Sequence, residues 1–300
     1  MAEQALKFGI LTPILTHLPR RHGKWETEGG PAELRQIAIT ADRCGFYHMT
    51  CSEHVGIPTE IGKIRGHRYY DPLATFGYFA ALTKRIRFAT HVLVLPYHHP
   101  LAVAKRYGTL DRMSEGRVIL GIGVGSLRQE FELLGAEFER RGEIYTEALQ
   151  ALRESFGKQK PVFKGKFYEF DDFVIEPHGV QEHVPIWLGG RTKLSLKRAL
   201  ASADGWDPFG FDLATLGALL PEAKQWPEWR SRREPFDVVL GPEPVYDVTT
   251  TSGLAGVTDQ IASYRRAGGT ILNMYFRSTS LEHYCEQLEI FRDRVAGKFQ

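Results

Sequence analysis

From Lys7 to Val295 the chain repeats one rhythm about eight times: a short apolar run, then a longer segment whose apolar residues recur at helical spacing. Short buried strands alternating with amphipathic helices are what βα units around a parallel sheet require. Eight such units close into a (β/α)8 TIM barrel. This α/β class is the expectation that most constrains the rest. The 300 residues suit it, because such barrels run to about 250 residues or more as one unit. One domain spanning 1–300 is therefore expected.

Lys7–Leu11 reads as the first strand and Pro31–Arg43 as its helix, in which Leu34, Ile37, Ala38 and Ala41 follow a proline start and Gly45 supplies the stop. Phe46–Cys51 and Ile86–Leu95 read as strands two and three, separated by a helix over Asp71–Leu82 with Asp71 as N-cap before Pro72. A helix over Pro100–Arg112, a fourth strand over Arg117–Val124 and a helix over Glu143–Phe156 follow. Between Gly157 and Pro185 the rhythm breaks. Val162–Phe163 and Phe167–Phe170 flank Lys164, Gly165 and Lys166 as a β-hairpin would, so an insertion after the fourth βα unit is expected. Strands over Ile186–Leu188, Gly205–Asp207, Phe236–Leu240 and Ile271–Tyr275 complete the count, with helices over Lys193–Ala203, Leu213–Trp226, Thr258–Ala267 and Leu281–Val295.

Thirty-eight Lys and Arg against 36 Asp and Glu leave a net charge of +2, which creates no field to recruit nucleic acid or an anionic membrane. Small molecules are the expected partners. Cys44, Cys51 and Cys285 form no CxxC pair, and their odd number argues against a disulfide framework. The opening MAEQALKFGILTPI has no basic start followed by a long apolar run, and no stretch approaches the ~18 apolar residues of a membrane span. A cytoplasmic enzyme is expected. Exposed apolar helix faces around such a barrel point to a homodimer.

In a barrel of this kind chemistry belongs where strands end and loops begin, and four such places stand out. Ser52-Glu53-His54 follows strand two, pairing a carboxylate with an imidazole that titrates near neutrality, or forming an ordinary loop pair. Ala89-Thr90-His91-Val92 sets polar groups inside an apolar strand, where each needs a partner or a pocket to face. His98 and His99 lie nearby, but no HExxH or other ligand spacing completes a metal site, and none is expected. Gly121-Ile122-Gly123-Val124-Gly125-Ser126 runs a strand into a glycine-rich turn that permits close backbone approach to a ligand; Ser126 replaces the last glycine of a dinucleotide fingerprint. Trp187-Leu188-Gly189-Gly190-Arg191-Thr192 enters a helix with a cation and a hydroxyl, which suits either a phosphate site or a plain cap by Thr192.

These sites, in this order, resemble the luciferase-like monooxygenase superfamily, particularly its branch of coenzyme F420-dependent oxidoreductases. The resemblance also rests on Phe8-Gly9-Ile10, Asp71-Pro72-Leu73-Ala74, the segment Arg85–Pro100, Leu110–Arg117, Leu120–Leu134, Pro185–Gly190, Ala203–Trp206, Gly256–Ile261 and Ala267-Gly268-Gly269. It implies that His54 acts in proton transfer beside a cofactor ring, with Glu53 orienting it or touching the cofactor. His91 and Val92 match strand-three positions where the family often has a strained bulge or a cis peptide backing the ring, with Thr90 preceding them; His91 replaces a residue that is frequently small. Gly125 and Ser126 would line the cofactor's polyol chain, while Gly189, Gly190, Arg191 and Thr192 would hold its phosphate. Thr12–Gly30 and Pro227–Gly253 carry no family motif and are where substrate selection is expected.

The resemblance leaves two cofactors open. Val124 stands where luciferase supplies an arginine to the FMN phosphate, which favours F420; Glu53 stands where the deazaflavin branch usually has aspartate, and Glu-His is common in the FMN branch. The F420 reading is hydride transfer to or from a small organic substrate, independent of oxygen and served by an F420 reductase. The alternative is an FMN monooxygenase that uses oxygen and a partner flavin reductase. A barrel without catalysis is the third reading, since a fold alone guarantees no chemistry.

Overall fold

A computed structural model of the chain describes residues 5–17 and 22–299. Met1–Gln4 of the opening segment, and Leu18–Arg21 within the stretch expected to select substrate, lie outside the described residues.

Eight parallel barrel positions are formed by β1 (Lys7–Ile10), β2 (His48–Cys51), β3 (Arg87–Thr90) continued by β4 (Leu93–Val94), β5 (Val118–Gly123), β8 (Ile186–Gly190), β9 (Gly205–Pro208), β10 (Asp237–Leu240) and β11 (Ile271–Met274). β1 pairs with both β2 and β11, so the sheet closes on itself. The TIM barrel is thereby established. A two-stranded antiparallel hairpin, β6 (Phe163–Lys164) with β7 (Glu169–Phe170), stands between the fourth and fifth barrel strands.

The helices follow their local signals. Pro31–Arg43 begins at its proline and buries Leu34, Ile37, Ala38 and Ala41. Pro72–Leu82 is capped by Asp71, whose side chain accepts from the Ala74 amide at 2.8 Å. Burial of the apolar stripe against the sheet is what holds such helices in place.

Several boundaries differ from the sequence reading. Strand three is not continuous: a cis peptide joins His91 to Val92 and separates β3 from β4. The fifth strand, expected over Ile186–Leu188, runs two residues further and ends in Gly189 and Gly190. The helix expected from Thr258 starts at Thr251, where Thr250 caps it. Short helices over Lys24–Glu28, Thr59–Arg65, Arg128–Leu134 and Pro227–Arg230 add to the regular set.

Inside the barrel Ala89, Ile119, Trp187, Val239 and Ile271 form a cluster of their own. Alternate residues along a strand share a face, so Gly121 and Gly123 follow Ile119 on the same side of β5, and Gly189 follows Trp187 on β8. Small residues at the carboxyl ends thus leave open the space that larger ones fill lower down. His48 is also enclosed, with its Nε2 donating to Asn273 Oδ1 at 2.6 Å and its ring 5.2 Å from that of Trp187. Burial pushes the His48 imidazole down to about 3, so it is neutral and structural.

Candidate functional site

The opening at the carboxyl ends is a cavity of about 600 Å³, within the range of small-molecule and cofactor sites. Glu53, His54, His91, Val92, Gly125, Ser126, Gly189, Gly190 and Arg191 all line it, so residues drawn from four separate strand ends meet in one space. Two expected contributors do not. Thr90 is buried and donates its hydroxyl to the Gly121 carbonyl at 2.7 Å, holding β3 to β5. Thr192 accepts from the Ser195 amide at 3.1 Å as the N-cap of the helix Lys193–Ser202. For Thr192 the plain capping reading describes its contacts.

His54 has a partner other than the neighbour expected from sequence. Its Nδ1 donates to Glu130 Oε2 at 2.7 Å, and the same oxygen accepts from the Tyr97 hydroxyl at 2.9 Å. The other Glu130 oxygen accepts from the amides of Val55 and Gly56. Burial works against the Glu130 charge, but the hydrogen bonds from His54, Gly56 and Tyr97 outweigh it and hold the carboxyl below its usual range. A fixed anion at Nδ1 leaves Nε2 as the nitrogen free to exchange a proton. The Tyr69 ring meets the imidazole edge-to-face at 4.5 Å. Glu130 was within reach of sequence reasoning, since the Leu120–Leu134 stretch contains it, yet nothing local marks a residue that bonds across 76 positions.

Glu53 does not orient His54. Its carboxylate turns the other way, accepting from the Val94 amide at 2.7 Å and from His98 Nε2 at 2.8 Å. The two carbonyls around the cis bond are also held: Ser52 Oγ donates to the His91 carbonyl at 2.8 Å, and the Glu53 amide to that of Val92. The end of β2 is thus stitched to the β3–β4 junction, which places Val92 against Gly123 and Gly189. A Cβ on Gly123 would lie 2.7 Å from the Val92 side chain, and one on Gly189 3.1 Å. A side chain at Gly123 would displace Val92, and one at Gly189 would crowd it.

His91 donates from Nδ1 to Asp207 Oδ2 at 2.6 Å across the cavity floor. Burial lowers the imidazole's proton affinity, but the charge and hydrogen bond of Asp207 overcome this and raise it above the ordinary histidine range. Asp207 lies one residue before the end of the short strand β9 and carried no signal in the sequence. Gly125 adopts a φ of +78°, and Arg141 donates to its carbonyl at 3.3 Å while packing on Phe138. Of the segments expected to select substrate, Thr12, Leu15, Thr16 and His22 line the cavity, whereas no residue from 227 to 253 does.

A closed parallel barrel whose mouth joins an anion-fixed imidazole to a glycine wall defines a barrel enzyme that works at the carboxyl ends of its strands. The sequence profile described as luciferase-like monooxygenase matches residues 7–293, so the chain belongs to that family and is an oxidoreductase. It is 31% identical over 237 residues to an uncharacterized protein of Mycobacterium tuberculosis (strain ATCC 25618 / H37Rv), covering 74% of this chain and 83% of that one. It is 30% identical over 206 residues to the F420-dependent glucose-6-phosphate dehydrogenase of Amycolatopsis mediterranei (strain U-32), covering 66% of this chain and 60% of the relative. The crystal structure of monooxygenase RslO1 from Streptomyces bottropensis superposes with a TM-score of 0.72 at 19% identity, over 98% of this chain and 100% of that one, a likeness of fold. A deazaflavin or a flavin is the cofactor class that the luciferase-like profile and the F420-dependent relative support. No helix among the described residues is long and apolar enough to cross a membrane.

Proposed function

We propose that the chain transfers hydride between coenzyme F420 and a small organic substrate in this cavity. The observation that carries the reading is His54, held through Nδ1 by buried Glu130, on the wall of a cavity whose other side combines Gly189, Gly190 and a guanidinium, Arg191. The residues fit such a cofactor. Val92, Gly123 and Gly189 offer a flat apolar wall for a ring, Gly125 and Ser126 border a path for a polyol, and Arg191 lies over the Phe209 ring with no ion pair of its own among the described residues.

Bound there, the deazaflavin would supply a ring carbon that gives or accepts hydride. His54 Nε2 takes up or returns the accompanying proton, and the Glu130 charge stabilises the imidazolium while it exists. Glu53 holds the Val94 backbone behind the ring wall. Arg191, with Gly189 and Gly190, binds the anionic tail. The F420-dependent relative supports this cofactor over FMN, as does Val124 rather than a cation at the end of β5.

The test is a fluorescence titration of the purified protein with F420 and with FMN under identical conditions. F420 is expected to bind at least tenfold more tightly. A preference for FMN would replace this reading with an oxygen-using monooxygenase fed by a partner reductase.

A further inference from the structure

The cavity has two sides, and the proposed cofactor accounts for one of them. Around the closed sheet the order is β1, β2, β3–β4, β5, β8, β9, β10, β11. Val92, Gly123, Gly125, Gly189 and Arg191 follow the consecutive strands β3–β4, β5 and β8. Thr12, Thr16, His22, Arg65, Tyr69 and Tyr275 follow β11, β1 and β2 on the remaining arc.

This second arc has an unneutralised charge. Arg65 ends the helix Thr59–Arg65 and lines the cavity, and its guanidinium has no hydrogen bond or ion pair among the described residues. The acids in and around the cavity are already engaged. Glu53 is held by His98 and the Val94 amide, Glu130 by His54 and Tyr97, Asp207 by His91, and Glu26 accepts from the Tyr275 hydroxyl with both oxygens at 2.8 Å. A guanidinium on a concave, half-apolar wall is a site for an oxyanion, to which it can present two parallel donors.

We propose that Arg65 binds an anionic group of the substrate, a carboxylate or a phosphate, and so makes this an enzyme for small organic anions. The inference rests on the cofactor occupying the β3–β8 arc. The contacts around Arg65 give the placement a chemical consequence: its carbonyl accepts from the Tyr69 hydroxyl at 2.9 Å, and the Tyr69 ring packs on His54. An anion held at Arg65 therefore sets the rest of the substrate beside the imidazole that exchanges the proton.

Inorganic phosphate is the probe, titrated calorimetrically into F420-loaded wild type, Arg65→Gln and Arg65→Lys. One saturable site is expected in the wild type, weakened tenfold or more in Arg65→Gln and by a smaller factor in Arg65→Lys, which keeps the charge but loses the paired donors, while the F420 affinity of Arg65→Gln stays within about twofold of wild type. No phosphate binding to the loaded wild type overturns the assignment, and so does an affinity that Arg65→Gln leaves unchanged. Loss of F420 affinity in Arg65→Gln also overturns it, because the tail would then lie on the wrong arc. If F420 fails to bind the wild type, the cofactor reading falls by itself. Arg65 is then judged in cofactor-free Arg191→Gln protein, where phosphate binding that survives Arg65→Gln refutes its role and binding abolished by it upholds the role.

Discussion

At the scale of single residues, the cavity is governed by pairs in which a buried carboxylate fixes one nitrogen of a histidine. His54→Ala is expected to leave F420 affinity nearly unchanged and to slow turnover by about 100-fold or more, the usual scale of general acid-base catalysis. Equal turnover in steady-state assays would remove His54 from the chemistry. The His91–Asp207 pair makes a second prediction whose sign is fixed by its two opposing causes. Burial alone lowers the imidazole, and Asp207 raises it past the ordinary value of about 6.5. In Asp207→Asn the charge that favours the imidazolium is gone and burial dominates, so the His91 midpoint followed by NMR should move from above 6.5 to below it. Because the folded value exceeds the unfolded one, the pair stabilises the wild type fully below about pH 6.5, and that contribution fades as pH rises through the folded midpoint. Thermal melts should show the decline in the wild type and the opposite trend in the variant, whose folded midpoint lies below the unfolded one, so that its contribution rises as pH climbs towards about 6.5.

At the scale of elements, the strand ends decide the shape of the site. Gly125 leaves β5 with φ +78°, and a Cβ there would sit 2.6 Å from Phe131 and 2.7 Å from Val94. Gly125→Ala should therefore cost about 1–3 kcal/mol in urea unfolding, combining left-handed strain with overpacking, and should weaken F420 binding in the same protein. A stable variant with unaltered affinity would move the ligand off this turn. The regular elements were legible because each combines a period with a punctuating residue, as in Pro31, Asp71 and Gly45. The helices Lys24–Glu28, Thr59–Arg65 and Arg128–Leu134 were not, since five to seven residues make too few turns to display a period. Two of them bring Arg65 to the cavity and Glu130 to His54, so the loss in reading the elements became a loss in reading the site. His54 and Arg191 were visible as residue types at strand ends. Their partners and freedoms were not, because Glu130 reaches His54 across 76 positions and Asp207 reaches His91 across 116.

At the scale of the whole molecule, closure of β1 onto both β2 and β11 is what turns separate loops into one cavity. The net charge of +2 is nearly neutral, so long-range attraction cannot come from the surface as a whole. Any attraction is local: Arg65 and Arg191 line the cavity, the carboxylates around it are turned onto hydrogen-bond partners in its walls, and low-dielectric walls concentrate the field of the charges nearest the mouth. A field of this kind acts on kinetics. Stopped-flow association of F420 should slow by about threefold or more between 0.05 and 0.5 M salt, as screening shortens the reach of the two guanidiniums, while dissociation changes less than about twofold. An association rate indifferent to salt would show that the mouth exerts no steering. The two arginines, unpaired with any acid among the described residues, would then have a role before any contact is made: selecting, from a mixed population of metabolites arriving by diffusion, those that carry negative charge.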